Sequence, residues 1–101
     1  MSLLPDELKN RLPGIHAQEA EDDPVVYARY AVPGTNLAWY VTEGEPDGDD
    51  FVFFGFVTGP NDFRYFRLSE LKEYRSLLGQ TVEPDLAFTE GRLTDVVPAP
   101  E

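Results

Sequence analysis

The stretch Leu37 to Val57 constrains the fold of this chain more than any other. Two aromatic segments, LAWYVT and FVFFGFV, lie on either side of the acidic connector EGEPDGDD. Aromatic and β-branched residues favour strands, and in the first segment Leu37, Trp39 and Val41 share one face because side chains alternate along a strand. The pattern predicts a β-hairpin at the centre of the fold, with the connector, Glu43 to Asp50, as its solvated tip.

The second segment of the hairpin, Phe51 to Val57, is apolar on both of its faces. Such a strand is typical of the centre of a sheet that is covered on both sides. Gly55 within it indicates a bulge or a close approach of a neighbouring backbone. We therefore expect this segment to be the central strand.

Other strands are indicated by aromatic and β-branched runs that end at turn residues. They are Val25 to Val32, Phe63 to Leu68 and a short edge strand, Leu86 to Thr89. The segment Thr81 to Asp85 is expected to be extended or a turn, and Ala17 to Pro24 a solvated acidic loop.

Two helices are predicted from leucine spacing. Residues Leu4 to Leu12 repeat leucine at i, i+4 and i+8, and Pro13 and Gly14 follow. The second helix begins with Ser69 as its cap and ends at Gly79. Its expected apolar stripe consists of Leu71, Tyr74, Leu77 and Leu78.

These elements predict a single small α+β domain over residues 1–101. It has a mostly antiparallel sheet of four to five strands, one N-terminal helix and one helix packed on the sheet. A chain of 101 residues can bury one modest core. We expect residues 1–3 and 97–101 to fray, since Pro98 and Pro100 interrupt the tail.

Charge and composition exclude several classes of function. The net charge is −11 and the pI is near 4.3, which disfavours direct binding to nucleic acid or anionic membranes because both require Lys and Arg. The chain has no cysteine, so thiolate chemistry is excluded. No basic leader precedes a long apolar run, which predicts a cytoplasmic protein without contact to the membrane.

No catalytic motif stands out. His16 is the only histidine, no serine lies in a nucleophile elbow, and no glycine-rich loop could cradle a phosphate. Glu43, Glu45 and Asp47 are spaced like the first half of a calcium-binding loop, but the position of its final carboxylate is occupied by Phe54. The sequence predicts no catalytic residue, no cofactor and no dedicated metal site.

Four blocks of the chain carry a resemblance to a known family. They are DPVVYARY (Asp23 to Tyr30), WYVTEGE (Trp39 to Glu45), DDFVFFGFV (Asp49 to Val57) and YFRLSEL (Tyr65 to Leu71). Together they resemble domain of unknown function family 2958. The resemblance implies short acidic proteins carried by plasmids, phages and integrative elements, often near anti-restriction or DNA-processing genes, with no established activity to transfer.

The leading functional hypothesis is a non-enzymatic interaction module of a mobile genetic element that engages an unknown protein with a basic surface. A mimic of nucleic acid is its sharpest form. The candidate interaction surface consists of Tyr40, Thr42, Glu43, Glu45, Asp47, Asp49 and Asp50, with Tyr40 as an aromatic anchor. Two alternatives remain open, a small enzyme or divalent-metal-binding protein that uses the carboxylates of Glu43 to Asp50, and a structural homodimer. The oligomeric state is expected to be a monomer or a homodimer.

Overall fold

The computed structural model describes residues 3–97, so residues 1, 2 and 98–101 of the ends expected to fray lie outside the described residues. In chain order the elements are α1 (Asp6–Arg11), β1 (Val25–Val26), β2 (Ala28–Ala31), β3 (Ala38–Asp47), β4 (Asp50–Val57), β5 (Asp62–Arg67), α2 (Leu68–Glu73), β6 (Glu83–Pro84), β7 (Gly91–Arg92) and α3 (Leu93–Val96).

The main sheet is antiparallel and has the strand order β5-β4-β3-β2-β6. The strands β1 and β7 form a separate antiparallel pair. The α+β class and the antiparallel sheet are therefore confirmed, with three short helices in the described part of the chain. None of these helices is long and apolar enough to span a bilayer.

The predicted central hairpin is confirmed, but its connector is not a loop. Strand β3 continues to Asp47, which pairs with Asp50 at the start of β4. Only Gly48 and Asp49 remain for the turn, and Gly48 has a φ of 61°, a left-handed conformation that glycine adopts without steric cost. Most of the acidic connector is thus built into the ladder of the sheet.

A β-bulge interrupts β3 at Thr42, where the pairing register shifts between Val41 and Glu43. The Thr42 hydroxyl donates a hydrogen bond to the Phe54 carbonyl oxygen at 3.1 Å. One extra residue reverses the alternation of side chains, so Glu43 lies on the same face as Tyr40. The close backbone approach expected at Gly55 is confirmed, since a Cβ at this position would overlap the Tyr40 carbonyl.

The core lies on the face of the sheet that α1 and α2 cover, which we call the inner face. Its centre is Phe53, fully buried, with ring centroids 5.1 Å from Phe51, 5.4 Å from Phe66 and 5.9 Å from Tyr30. Leu71 of α2 is buried in the same cluster. Each such side chain contributes about 1.5–3 kcal/mol to folding by its removal from water.

The opposite face, which we call the outer face, has a smaller core. Val26, Ala38 and Tyr40 are buried there, and Leu93 and Val96 of α3 pack against them. The side chains of Phe54 and Phe56 on β4, by contrast, are only partly buried on this face. The strand predicted to be central and covered on both sides is therefore covered fully on its inner face and only partly on its outer face. It lies inside the sheet, but the middle strand is β3.

The predicted strand Val25 to Val32 is divided in two at Tyr27. Val26 is buried in the outer cluster and Tyr30 in the inner one, although residues four apart on one continuous strand would share a face. The chain must rotate between them to bury both. The Tyr27 amide donates a hydrogen bond to the Val41 carbonyl at 2.8 Å at this break.

The second helix is shorter than predicted and ends at Glu73. Tyr74 is already extended, and its ring packs edge-on against Trp39 with centroids 5.9 Å apart. Leu77 and Leu78 are fully exposed, so the predicted apolar stripe is wrong for these two residues. A helix this short gains little from propensity, and tertiary packing decides where it ends.

Two further predictions are corrected. Ser69 lies inside α2, whose cap position is occupied by Arg67, and the acceptor for its first turn is Asp50 of β4. The segment Leu86 to Thr89 forms no strand, and Leu86 is 75% exposed. The sheet edge beside β2 is paired instead by Glu83–Pro84, within the segment expected to be extended.

Candidate functional site

The carboxylate of Glu43 is buried beneath a loop from the N-terminal part of the chain. Only 3% of the residue is exposed. Its two oxygens accept hydrogen bonds from the backbone amides of His16, at 2.9 Å, and Gln18, at 2.6 Å. No salt bridge among residues 3–97 includes Glu43, and the donors described for its oxygens are backbone amides.

The same loop, residues 14–20, is held at further points. The Glu45 carboxylate accepts a hydrogen bond from the Ile15 amide at 2.8 Å. The Gln18 side chain donates to the carbonyls of Thr42, at 2.7 Å, and Val25, at 3.0 Å, and accepts from the Val25 amide at 2.8 Å. The segment expected to be solvated, Ala17 to Pro24, is exposed from Glu19 to Asp22, but Gln18 near its start is fastened to β3.

The remaining hairpin acids lie near the turn and near α2. Asp47 at the end of β3 forms an ion pair with Arg67 at the end of β5, and Asp49 is exposed in the turn. Asp50 accepts hydrogen bonds from the Ser69 hydroxyl at 2.6 Å and the Ser69 amide at 3.1 Å. The hydroxyl hydrogen bond from Ser69, followed by the Phe51 amide, holds the pKa of the Asp50 carboxyl below its ordinary value.

Tyr40 and Thr42 are buried, with exposures of 3% and 1%. The Tyr40 hydroxyl accepts a hydrogen bond from Arg29 Nε at 3.1 Å, and the guanidinium lies 5.5 Å from the centre of its ring. Arg29 also pairs with Asp85 at 3.2 Å. Tyr40 is therefore part of the interior and not an exposed aromatic anchor.

In the structure, the seven residues predicted to form one surface fall into a buried group and a more exposed group. The expectation that they form one exposed surface is wrong for Tyr40, Thr42 and Glu43, which are buried. Glu45, Asp47 and Asp49 are exposed and Asp50 is half-buried. Tyr40 is buried by the outer-face cluster. The burial of Thr42 and Glu43 accompanies the bulge at Thr42 and the loop above it, neither of which has a local sequence signal.

A row of aromatic rings on the outer face of β4 and β5 was missed by the sequence-based prediction. It consists of Phe54, Phe56, Phe63 and Tyr65, which we call the aromatic row. Ring centroids are 4.8 Å apart for Phe54 and Tyr65 and 5.6 Å apart for both Phe54–Phe63 and Phe56–Phe63. Phe63 is 38% exposed and Tyr65 56% exposed. The sequence did contain a signal for this row: Phe63 and Tyr65 are two positions apart, so they share a face of their strand, and the preceding strand Phe51 to Val57 is apolar on both faces.

A cavity of about 240 Å³ lies between the aromatic row and the 14–20 loop, and we call it the outer pocket. Three of its lining side chains are Phe or Tyr rings, one is the imidazole of His16, and three are glutamates. The lining residues are His16, Gln18, Glu19, Glu21, Pro24, Thr42, Glu43, Phe54, Phe63 and Tyr65. No Lys or Arg is among these described lining residues, so the pocket combines aromatic surface with negative charge.

The carboxylates of the hairpin do not converge as metal ligands would. Among residues 3–97, no group of three or more His, Asp or Glu side chains is arranged to hold a metal ion. Glu43, Glu45 and Asp50 direct their oxygens to amide or hydroxyl donors of the chain itself. The geometry of the hairpin thus offers a cation fewer free oxygen ligands than its sequence suggested.

Comparisons with known proteins identify the family without adding an activity. No curated protein and no solved structure gives a significant match to the chain. The family model described as "Protein of unknown function (DUF2958)" matches residues 3–97, which include all the strands and helices described above. The chain therefore belongs to the DUF2958 family, as its four sequence blocks indicated.

Proposed function

We propose that this protein is a non-enzymatic interaction module that engages a basic surface of a partner protein through the outer face of β4 and β5. The observation that carries the proposal is the outer pocket, in which exposed aromatic rings lie beside three glutamates without a Lys or Arg among its lining residues.

The aromatic row favours contact with another macromolecule. Tyr and Phe are enriched in protein interfaces, and a contiguous exposed apolar patch is costly in a monomer that has no use for it. Phe63 is 38% exposed and Tyr65 is 56% exposed, although their rings already contact neighbouring rings. A partner that covered them would remove further apolar surface from water.

The charge of the molecule favours a basic partner. A net charge of −11 on 101 residues accelerates encounter with a positive surface and repels acidic ones. The family resemblance supports a partner that processes nucleic acid in the host of a mobile genetic element. In the sharpest form of the proposal, the exposed carboxylates occupy a surface where the partner would otherwise hold phosphates.

Affinity capture from a host lysate with two matched variants tests this function. In the first variant, five acids on or beside the outer face become Gln or Asn (Glu19, Glu21, Glu45, Asp47 and Asp49). In the control, five exposed acids outside this surface are changed in the same way (Asp6, Glu7, Glu70, Glu73 and Glu83), so both variants have the same net charge.

We expect the wild type and the control to capture the same basic protein at low salt, and the outer-face variant to lose it. The captured protein should dissociate as salt is raised, because salt screens exposed charges beyond a Debye length of about 10 Å at 0.1 M. If capture did not depend on salt, or were equal for both variants, the charge of the outer face would have no role in binding the partner.

A structural homodimer is the second candidate function, and the position of β5 favours it. This strand lies at the edge of the sheet and carries the exposed rings of Phe63 and Tyr65. An unpaired edge is a template for another strand. Sedimentation equilibrium distinguishes the candidates, since a dimer through β5 requires a molecular mass that rises with protein concentration and falls when Tyr65 is replaced by Lys.

A further inference from the structure

We infer that the outer pocket is a receptor for a single arginine side chain presented by the partner. This inference rests on the proposed function and adds to it the chemical group that the site takes. It follows from the size of the pocket, the chemistry of its walls and the charge at its floor.

The size of the pocket selects one side chain. Its volume of about 240 Å³ is room for roughly eight waters at about 30 Å³ each. Pockets that enclose a drug-sized ligand measure roughly 300–1,000 Å³. The outer pocket is therefore too small for a folded peptide segment, but it can hold one long side chain that enters from a partner surface.

The walls of the pocket favour a cation with a flat face. Phe54, Phe63 and Tyr65 present ring surfaces, and Phe54 and Phe63 are almost parallel, with an angle of 11° between their planes. Aromatic faces attract cations, and a guanidinium stacks on them more readily than an ammonium does. An arginine could lie against these rings while its aliphatic part covers the exposed edge of Tyr65.

The rim and the floor supply the negative charge. Glu19 and Glu21 stand at the rim with side-chain exposures of 74% and 57%. Glu43 at the floor is 3% exposed and has no cationic partner among the ion pairs described for residues 3–97. A guanidinium in the pocket would lie beside this carboxylate and gain a charge interaction in a partly desolvated place, where such interactions are stronger than in water.

The charges at the rim are only weakly compensated by the chain itself. Glu19 lies 3.7 Å from His16, and Glu21 lies 3.8 Å from Arg92, which are long distances for ion pairs between exposed groups. Ion pairs between exposed groups contribute little, because water and salt screen them. Both carboxylates can therefore turn toward an incoming guanidinium, which offers several N–H donors in a fixed fork.

The test uses short capped peptides and requires no partner protein. The tripeptide Gly-Arg-Gly, acetylated and amidated, is titrated into ¹⁵N-labelled wild-type protein and compared with the same peptide containing citrulline or lysine. Citrulline keeps the shape of arginine without its charge. We expect weak, saturable shifts at the amides of His16 to Glu19 and at the amides of Phe54, Phe63 and Tyr65 for arginine, smaller shifts for lysine and none for citrulline.

Variants assign the shifts to the pocket. Tyr65→Ala removes one wall from an exposed position and should weaken arginine binding by about two- to fivefold, the usual effect of a cation–π contact at an exposed site. Glu21→Gln should weaken it in the same direction. Leu77→Ala is the control, because Leu77 is fully exposed and does not line the pocket. Equal shifts for arginine and citrulline, or shifts confined to other surfaces, would overturn the inference.

The two proposals fail separately. If no arginine peptide shifts the pocket resonances but a basic protein is captured in a salt-dependent way, the arginine inference is wrong and the proposed function is supported. If the arginine peptide binds and Tyr65→Ala weakens its binding, the arginine inference is supported. If, in addition, the outer-face variant and its control capture the same proteins, only the proposed function is contradicted.

Discussion

At the scale of single residues, Glu43 shows how one carboxylate can change role between sequence and structure. In the sequence it belongs to an acidic run that is typical of a solvated turn. In the structure it is buried and accepts hydrogen bonds from the amides of His16 and Gln18. It thereby fixes the loop that forms one wall of the outer pocket.

Replacement of Glu43 by Ala should lower the free energy of unfolding by about 3 kcal/mol. Each hydrogen bond to a charged group contributes about 1.5–3 kcal/mol, and two amides would lose their acceptor. Glu43→Gln keeps one amide oxygen and should cost less. Urea unfolding followed by the fluorescence of Trp39, the only tryptophan and 8% exposed, measures the difference.

Glu45→Ala is the matched control for this experiment. Glu45 accepts one described hydrogen bond, from the Ile15 amide, but it is exposed. Water can replace the lost acceptor there, so the change should cost less than about 1 kcal/mol. If the two alanine variants were equally stable, the anchoring role of Glu43 would be wrong.

Gly55 gives a second prediction at this scale. A Cβ here would overlap the Tyr40 carbonyl of β3, and a backbone in the middle of a sheet cannot move away without loss of its ladder. Gly55→Ala should therefore destabilise the protein by at least about 1–3 kcal/mol, the usual cost of overpacking. Gly48→Asn is the control, since Gly48 is in open space and asparagine tolerates its left-handed backbone. Equal stability of Gly55→Ala and the wild type in thermal unfolding would contradict the close approach.

At the scale of elements, α2 depends on a residue of another element. Its first turn has no side-chain cap of its own, and Asp50 at the start of β4 accepts hydrogen bonds from the amide and hydroxyl of Ser69. The helix is thus joined to the start of β4, and the serine expected to cap the helix donates to Asp50 from inside it.

The lowered pKa of Asp50 leads to a prediction about pH. The folded protein binds this proton less tightly than the unfolded chain does, whose aspartates titrate near pH 4. The contribution of Asp50 to stability is therefore complete above about pH 4 and is lost as the pH falls from there through the folded pKa. Asp50→Asn should unfold at a lower temperature than the wild type at pH 6, and the difference should shrink in acid.

Thermal unfolding between about pH 2 and pH 6 measures this effect, with Asp49→Asn as the control in the neighbouring turn position. The pKa of Asp23 is also lowered, mainly by the hydrogen bond from the Thr94 amide and next by that from its hydroxyl. Part of the loss of stability in acid should therefore remain in Asp50→Asn. A constant difference between wild type and Asp50→Asn across the whole range would contradict the assignment.

At the scale of the whole molecule, the excess of acids acts against folding. The radius of gyration is 12.9 Å, whereas the Debye length is about 30 Å at 0.01 M salt and about 10 Å at 0.1 M. At the lower salt concentration, carboxylates on opposite sides of the molecule therefore repel each other. The melting temperature should rise as salt is added over this range.

The variant with five neutralised outer-face acids provides the comparison. Because it has less repulsion to screen, its melting temperature should rise less with salt than that of the wild type. The control, in which five acids outside this surface are changed, should show the same smaller rise in melting temperature as the outer-face variant. At low salt the repulsion depends on the net charge, which is equal in the two variants. A melting temperature of the wild type that does not change with salt would show that the acidity is neutral for stability.

The class of the fold, the central hairpin and the net charge follow from local periodicity and composition, and Gly55 marked the position of a bulge or of a close backbone approach. The division of Val25 to Val32, the early end of α2, the burial of Glu43 and the existence of the outer pocket depend on the tertiary structure. The reason is distance along the chain. His16 and Glu43 are 27 positions apart, and whether a carboxylate is solvated or anchored, or a ring is covered or exposed, depends on which distant segment the fold brings to it.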